Sequence, residues 1–278
     1  MAEATEVTAT ILGCGSSGGV PRIGGGWGLC DPHNPRNRRR RCALLIEGRS
    51  SGEAEATRIV IDTGCDLREQ MLDAGVDRVD AVFYTHEHAD HTHGIDDLRV
   101  LALNNRKRVD VYFSQEAGER IREAFGYCFT APPGSDYPPI LDAHVIKAGQ
   151  EITIDGPGGA IRLHAFRQDH GSIFSLGYRV NGFAYSCDLS GIPKESRRAV
   201  SGLDLWVIDA LRPLPHPSHL SLPESLALIA EQSPRQAVLT NLHVDMDYAT
   251  VEAQTPPNVT PAFDGMRIDV MSGRILNR

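Results

Sequence analysis

Eight residues constrain this chain more than any others: Tyr84-Thr85-His86-Glu87-His88-Ala89-Asp90-His91. The apolar stretch Asp80–Tyr84 reads as a buried strand, and Gly94–Leu103, just beyond, reads as a helix. In extended backbone, residues two apart project to the same side, so His86 and His88 can grip one cation together. Where the chain turns into the helix, Asp90 and His91 project elsewhere and can serve a second cation. Imidazole with carboxylate suits zinc, manganese or iron. A solvated loop rich in histidine by chance is the bland alternative, and it explains poorly why ligand-type side chains crowd so short a stretch.

Two cations need further donors from elsewhere. His170, in Gln168-Asp169-His170-Gly171, is expected in a turn between strands, and His243 follows the strand Gln236–Thr240. His219 precedes a helix spanning Pro223–Gln232, with Ser221 as its cap and Pro223 in its first turn. Asp188 ends the strand Gly182–Cys187 on the face opposite Phe183, Tyr185 and Cys187, where the two oxygens of a carboxylate can reach two ions. His33, His93, His144, His164 and His216 have no ligand-like context and read as ordinary surface or core histidines.

The rest of the chain is strand-rich in both halves. Val7–Leu12, Cys42–Glu47 and Arg58–Ile61 read as strands before the motif, and Ala117–Phe125 as a helix after it. His144–Ile146, Glu151–Ile154, Ile161–Phe166, Phe174–Val180, Leu205–Ile208 and Met266–Met271 continue the series. No repeat or linker divides the 278 residues, so the expectation is one domain, 1–278, of α/β (α+β) class with two mostly antiparallel sheets between helices. The loop Gly13-Cys14-Gly15-Ser16-Ser17-Gly18-Gly19 is not a dinucleotide fingerprint, because Pro21 and Gly24–Gly26 replace the helix start. Its Ser16, Ser17 and Gly18 are candidates to hold an anion on free backbone N–H groups, with ordinary tight-turn geometry as the plain alternative.

Charge and cysteines narrow the function. Twenty-eight basic against 36 acidic residues leave −8, which disfavours a protein that grips nucleic acid through phosphates. The exception is the run Arg36-Asn37-Arg38-Arg39-Arg40-Arg41, which reads as a solvated face or as a contact for a phosphate or an acidic partner subunit. No apolar run approaches a bilayer span, which excludes a membrane protein, and six scattered cysteines suggest reduced thiols in a cytoplasm.

Thr85-His86-Glu87-His88-Ala89-Asp90-His91, followed in order by His170, Asp188 and His243, resembles the metallo-β-lactamase superfamily of dinuclear metal hydrolases. Gly13–Pro21, Ile61-Asp62-Thr63-Gly64, Ser218–Glu224 and Asp264-Gly265-Met266-Arg267 bring the likeness nearest to the branch of the phosphonate-pathway phosphodiesterase that opens phosphoribosyl cyclic phosphate. The resemblance implies a four-layer αββα sandwich of two mixed sheets and two divalent ions, zinc or manganese. One ion would bind His86, His88 and His170, the other Asp90, His91 and His243, with Asp188 bridging. It further implies metal-hydroxide attack on the phosphorus of a small cyclic, ribosyl or nucleotide phosphodiester, with His219 as proton donor to the leaving group and homodimers common. Against the relatives' N-terminal zinc cluster, this chain offers only Cys30 and Cys42, with Asp31 and His33 nearby. A tRNA 3′-end nuclease is the competing enzyme reading, and a non-catalytic metal-containing nucleotide-binding protein the competing reading from another class. Thioester or lactone hydrolysis is a weaker option.

Overall fold

The structure, a computed structural model, describes residues 2–53 and 55–277. The first half builds β1 (Glu6–Gly13), β2 (Ala43–Arg49), β3 (Thr57–Ile61), α1 (Leu67–Ala74), β4 (Ala81–Phe83), α2 (Ala89–Thr92), α3 (Leu98–Asn105), β5 (Val109–Phe113), α4 (Gln115–Phe129) and β6 (Leu141–Val145). The second half adds β7 (Glu151–Ile154), β8 (Ile161–His170), β9 (Ile173–Val180), β10 (Phe183–Ser186), β11 (Leu205–Asp209), α5 (Leu222–Gln232), β12 (Gln236–Thr240), α6 (Tyr248–Gln254) and β13 (Val259–Pro261). Two short strands, β14 (Arg267–Asp269) and β15 (Arg274–Ile275), return to the first sheet.

One sheet runs β15-β14-β1-β2-β3-β4-β5-β6 and the other β13-β12-β11-β10-β9-β8-β7. Both are mixed. Pairs from β15 to β3 are antiparallel, and those from β3 to β6 are parallel. In the second sheet β7 to β10 pair antiparallel and β10 to β13 parallel. The expectation of mostly antiparallel sheets is therefore corrected. Helical crossovers such as α1, α3, α4, α5 and α6 separate successive strands in the parallel halves, and a crossover returns the chain in the same direction.

Burial patterns give the four layers. Along β2, Leu44 and Ile46 join the core between the sheets, while Ala43 and Leu45 face the helices of the first sheet. Along β11, Leu205 and Val207 face inward, and Trp206 and Ile208 pack on the outer side with Leu222 and Ile229 of α5. A strand covered on both faces is apolar along its buried length, as β4 is throughout and β11 is from Leu205 to Ile208. Two links tie the sheets near the end of β4: Tyr178 Oη donates to Tyr84 O at 2.6 Å, and Leu176 N donates to Thr85 O at 2.8 Å.

Several elements depart from the sequence reading. β5 was not expected, since Val109-Asp-Val-Tyr-Phe is short and follows Arg106-Lys-Arg. Nor were α1 and α6, whose polar sequences show little apolar periodicity; α1 is closed instead by Gly75 in the left-handed region, φ 64°. The helix expected over Gly94–Leu103 is a 3-10 turn at Ile95–Asp97 followed by α3. β8 runs past Phe166 to His170, so His170 ends a strand instead of sitting in a turn. Ser221 caps α5 as expected, and Glu224, which the sequence reading had not used for the cap, completes a capping box by accepting from Ser221 N at 2.8 Å.

Candidate metal centre

The carboxyl ends of the parallel strands converge at one edge of the sandwich, and the chemistry-bearing residues follow them. Asp62 follows β3, His86 follows β4, Asp188 lies just past β10, Asp209 ends β11 and Asn241 follows β12. Asp62, Asp188 and Asn241 hold φ of 65°, 45° and 60°, a left-handed turn that Asp and Asn tolerate better than other side chains. Such strain is typical of functional sites.

Four side chains meet at the centre: His86, His88, His170 and Asp188 place ligand atoms within 4.8 Å of one another. His88 Nδ1 is 2.9 Å from His86 Nε2 and 3.3 Å from His170 Nε2, while Asp188 Oδ2 is 3.8 Å from both His86 and His170. A second group joins Asp90, His91 and Asp188: His91 Nε2 lies 3.3 Å from Asp90 Oδ2 and 3.4 Å from Asp188 Oδ1. The two oxygens of Asp188 thus face different groups.

Outer partners set the tautomers. Thr85 Oγ1 donates to Asp62 Oδ2 at 2.8 Å, so its oxygen accepts from His86 Nδ1–H at 3.0 Å and leaves Nε2 of His86 a lone pair. His170 Nδ1–H donates to Ser218 O at 2.7 Å, and His91 Nδ1–H to Asp62 Oδ2 at 2.8 Å. In His86 and His170 the outer nitrogen carries the proton and the inner one a lone pair. Lone pairs turned toward each other at such distances repel unless a cation lies between them, so the donor set fits a divalent metal.

The charges agree. Burial, then His91, holds His86 well below the usual imidazole pKa, and burial lowers His170. Burial opposes charge on His91, but Asp188, Asp62 and Asp90 outweigh it and raise its pKa well above the usual value. Asp188, despite burial, is held well below the carboxylate range chiefly by His91. The second proton so held on His91 Nε2, between Asp90 and Asp188, is one that a bound cation would displace.

Not every expected residue arrives. His243 joins neither group: the Asn241 turn carries its ring onto the Arg22 guanidinium, with Nδ1 2.9 Å from Asp245 Oδ2. Asn241 takes the nearer place, Nδ2 donating to Asp188 Oδ1 at 3.0 Å. His219 sits beside the centre, Nδ1 2.9 Å from Asp209 Oδ2 and Nε2 3.9 Å from Asp188 Oδ2. Ser16 and Ser17 line the same cleft of about 380 Å³, while Gly18 lines the neighbouring cavity. Apart from the exposed Arg38, the arginine run is not a solvated face. Arg39 is buried against Asn37 and Cys30, Arg40 pairs with Asp73 and Asp264, Arg41 with Asp66, and Arg36 lies over Tyr248 and Phe263. Cys30 Sγ lies 3.3 Å from Val244 O, and Cys42 Sγ 3.6 Å from both Gly15 O and Thr240 Oγ1.

The sequence reading gave no role to Asp62, Asp209, Asn241 or His216. The first three share a signal, a polar residue closing or directly following an apolar strand run. His216, set aside as ordinary, stands on the cleft with its ring 5.1 Å from that of His219.

A two-sheet sandwich with paired His/Asp groups at the strand ends defines a metallo-β-lactamase fold. The chain belongs to the β-lactamase superfamily, whose domain matches residues 57–241. It is similar to a crystallographically solved diphosphatase of the PhnP family, at 30% identity and a TM-score of 0.82 over 95% of this chain and 97% of that one. A Porphyromonas gingivalis protein named octanoyltransferase is 31% identical over 261 residues, 92% of this chain and 50% of that protein. A ribonuclease Z of Archaeoglobus fulgidus is 32% identical over 128 residues, 44% of this chain and 38% of that one. The chain thus spans half or less of the length of these two curated relatives. Among the described residues no helix is long and apolar enough to cross a membrane.

Proposed function

We propose that the chain is a dinuclear metal-dependent hydrolase that cleaves a small cyclic, ribosyl or nucleotide phosphodiester. The observation that carries this reading is Asp188, whose Oδ2 faces His86 and His170 while its Oδ1 faces His91. His86, His88, His170 and Asp188 would hold one ion, and Asp90, His91 and Asp188 the other; zinc and manganese both accept this donor set. When bound, the pair supplies an activated water and offsets charge on the phosphoryl oxygens.

The chain's own groups do the rest. The leaving oxygen departs with the bonding electrons and needs a proton, which His219 is placed to give. Its Nδ1 is anchored on Asp209 and its Nε2 faces the cleft. Burial works against its charge, but the hydrogen bond and charge of Asp209, with the charge of Asp188, raise its pKa, so the proton is held near neutrality. Burial pushes Asp209 itself up to about 6. Beside the cleft, the N–H groups of Ser17 and Gly18 have no acceptor among the described residues and are free to bind a phosphoryl oxygen. The cleft volume, at the small end of the range for ligand sites, favours a nucleotide-sized substrate over a folded RNA.

The test is a screen of metal-reconstituted protein against aryl phosphodiesters, 2′,3′-cyclic nucleotides and cyclic ribose phosphates, with Asp188→Ala beside it. Metal-dependent release from at least one, lost in the variant, is expected. Stoichiometric nucleotide binding with no release from any diester would overturn hydrolysis. The ribonuclease Z match favours a second reading, cleavage at an RNA 3′ end. Tight precursor-tRNA binding that falls steeply with salt would support it.

A further inference from the structure

Among the described residues one basic side chain is fully buried: Arg39, 2% exposed, on the segment that leads into β2. No carboxylate among the described residues meets its guanidinium. Nη2 donates to Asn37 Oδ1 at 3.1 Å, and Nη1 to Cys30 Sγ at 3.8 Å. A buried cation is costly unless its charge is answered, and here the answer is relayed. Asn37, itself fully buried, fills all four of its hydrogen-bonding positions. Its Oδ1 also accepts from Tyr248 N at 2.8 Å, while Nδ2 donates to Asp247 Oδ2 at 2.7 Å and to Asp31 O at 3.1 Å. Asp247 accepts in addition from Asp31 N at 3.2 Å and caps α6 through Thr250 N at 2.9 Å. The carboxylate thus stands one amide away from the guanidinium, in a satisfied chain whose members polarise one another. Together with Leu29 N, which donates to Val244 O at 2.9 Å, the chain seams residues 29–39 onto residues 243–248.

The relatives fasten this loop with zinc, and the residues present do not fit that ion. A structural zinc needs four converging thiolate or imidazole donors. Cys30 keeps its proton in use, Sγ donating to Val244 O at 3.3 Å, while Cys42 points to Gly15 O and Thr240 Oγ1. Among the described residues neither cysteine belongs to a group of three ligand side chains that meet, and His33 is exposed. The guanidinium beside Cys30 also puts positive charge where a second cation would have to enter. We propose that the loop between β1 and β2 is fastened without a metal: Arg39, relayed through Asn37 to Asp247, stands in for the structural cation. The loop, which carries Arg22 to the cleft, then stays in place when every metal is removed.

The protein is saturated with zinc, desalted and read by elemental analysis. Two equivalents per chain are expected, both lost in Asp188→Ala and both kept in Cys30→Ser. A third equivalent that survives Asp188→Ala and leaves with Cys30→Ser would overturn the staple. Thiol labelling reads the loop whatever the centre turns over. Cys65 is the exposed cysteine and the other five are buried, so Cys65→Ser is the background, labelled with iodoacetamide and mapped by mass. With Asp188→Ala added to break the centre, excess chelator should leave the rate at Cys30 within about twofold, because no metal guards it. Faster labelling on chelation would overturn the proposal. Arg39→Lys keeps the charge without the fork and should label Cys30 about tenfold faster, the scale of one charge-assisted hydrogen bond. Unfolding would expose all five buried cysteines together, so the loop is read from Cys30 reacting ahead of the other four. Should they react together, Asp247→Ala cuts the same chain further out. An unaltered rate at Cys30 in either variant would overturn the staple.

Discussion

On the floor of the cleft His86, His91 and His170 each have the outer nitrogen tied to a buried or backbone acceptor, so the inner one is aimed before any ligand arrives. On the rim, Arg22 and Arg212 hang from loops and are held by one imidazole and by backbone carbonyls. The floor is preorganised by buried hydrogen bonds that water cannot replace, and the rim by contacts that water can. Aiming of the first kind suits a reaction centre, where a small displacement is costly.

The largest effect should follow from cutting the floor at its shared point. Asp188→Ala removes a donor from both groups, and both metal equivalents should leave the purified protein, as read by elemental analysis. Turnover should fall by about a thousandfold or more. Retention of both equivalents would mean that the two groups are not joined through Asp188.

His219 stands between floor and rim, and its substitution sharpens where the boundary lies. His219→Ala should slow esters with poor leaving groups by about a hundredfold or more, with a much smaller loss on nitrophenyl esters that need no proton. Equal losses on both would remove His219 from the acid role. Its pKa is raised by Asp209, so activity on poor leaving groups should fall as pH rises through that raised value. Asp209→Asn takes the raising charge away and should move the fall to lower pH.

The floor was largely legible in the sequence because local geometry writes it there. His86 and His88 share a side of one extended segment, and Asp90 and His91 sit where α2 begins. The layers were legible too, from short apolar runs. The rim was not, since Arg22, Arg212 and His216 lie far apart in loops whose paths no periodicity sets. Strand direction was misjudged for a similar reason: α1 and α6 carry too little apolar patterning to announce themselves, and without crossovers a strand series looks antiparallel. His243 shows the limit most clearly. It lies three residues after a strand and lines the same cleft as Asp90 and Asp188, but past the left-handed turn at Asn241 its ring meets Arg22 while Asn241 meets Asp188, and a backbone angle is not written in residue spacing.

Asp62 tests how much of the floor's order comes from behind. Its oxygens accept from Thr85 N, Thr85 Oγ1 and His91 Nδ1, each at 2.8 Å, with the side chain fully buried. Asp62→Asn replaces one acceptor oxygen with a donor that His91 Nδ1–H cannot meet. Metal affinity should drop about 10- to 100-fold, the usual cost of losing the partner that orients a ligating histidine. Thermal stability should fall by about 1–3 kcal/mol from buried donors left unpaired. A competition titration against a metal-chelating dye reads the first effect and a melting curve the second; an unaltered affinity would mean that His91 is aimed by Asp90 and Asp188 alone.

The smallest expected effect assigns His243 to one side of the comparison. As a floor residue it would cost the second metal equivalent when replaced. Its ring is instead engaged on both nitrogens, by Arg22 and by Asp245, and Asn241 occupies the place against Asp188. His243→Ala should therefore keep both equivalents with affinity within about twofold of the unaltered protein, since residues without shared partners act independently. Loss of one equivalent would move His243 back to the floor, and Arg22 would then lose the contact that steadies it whenever the centre is filled.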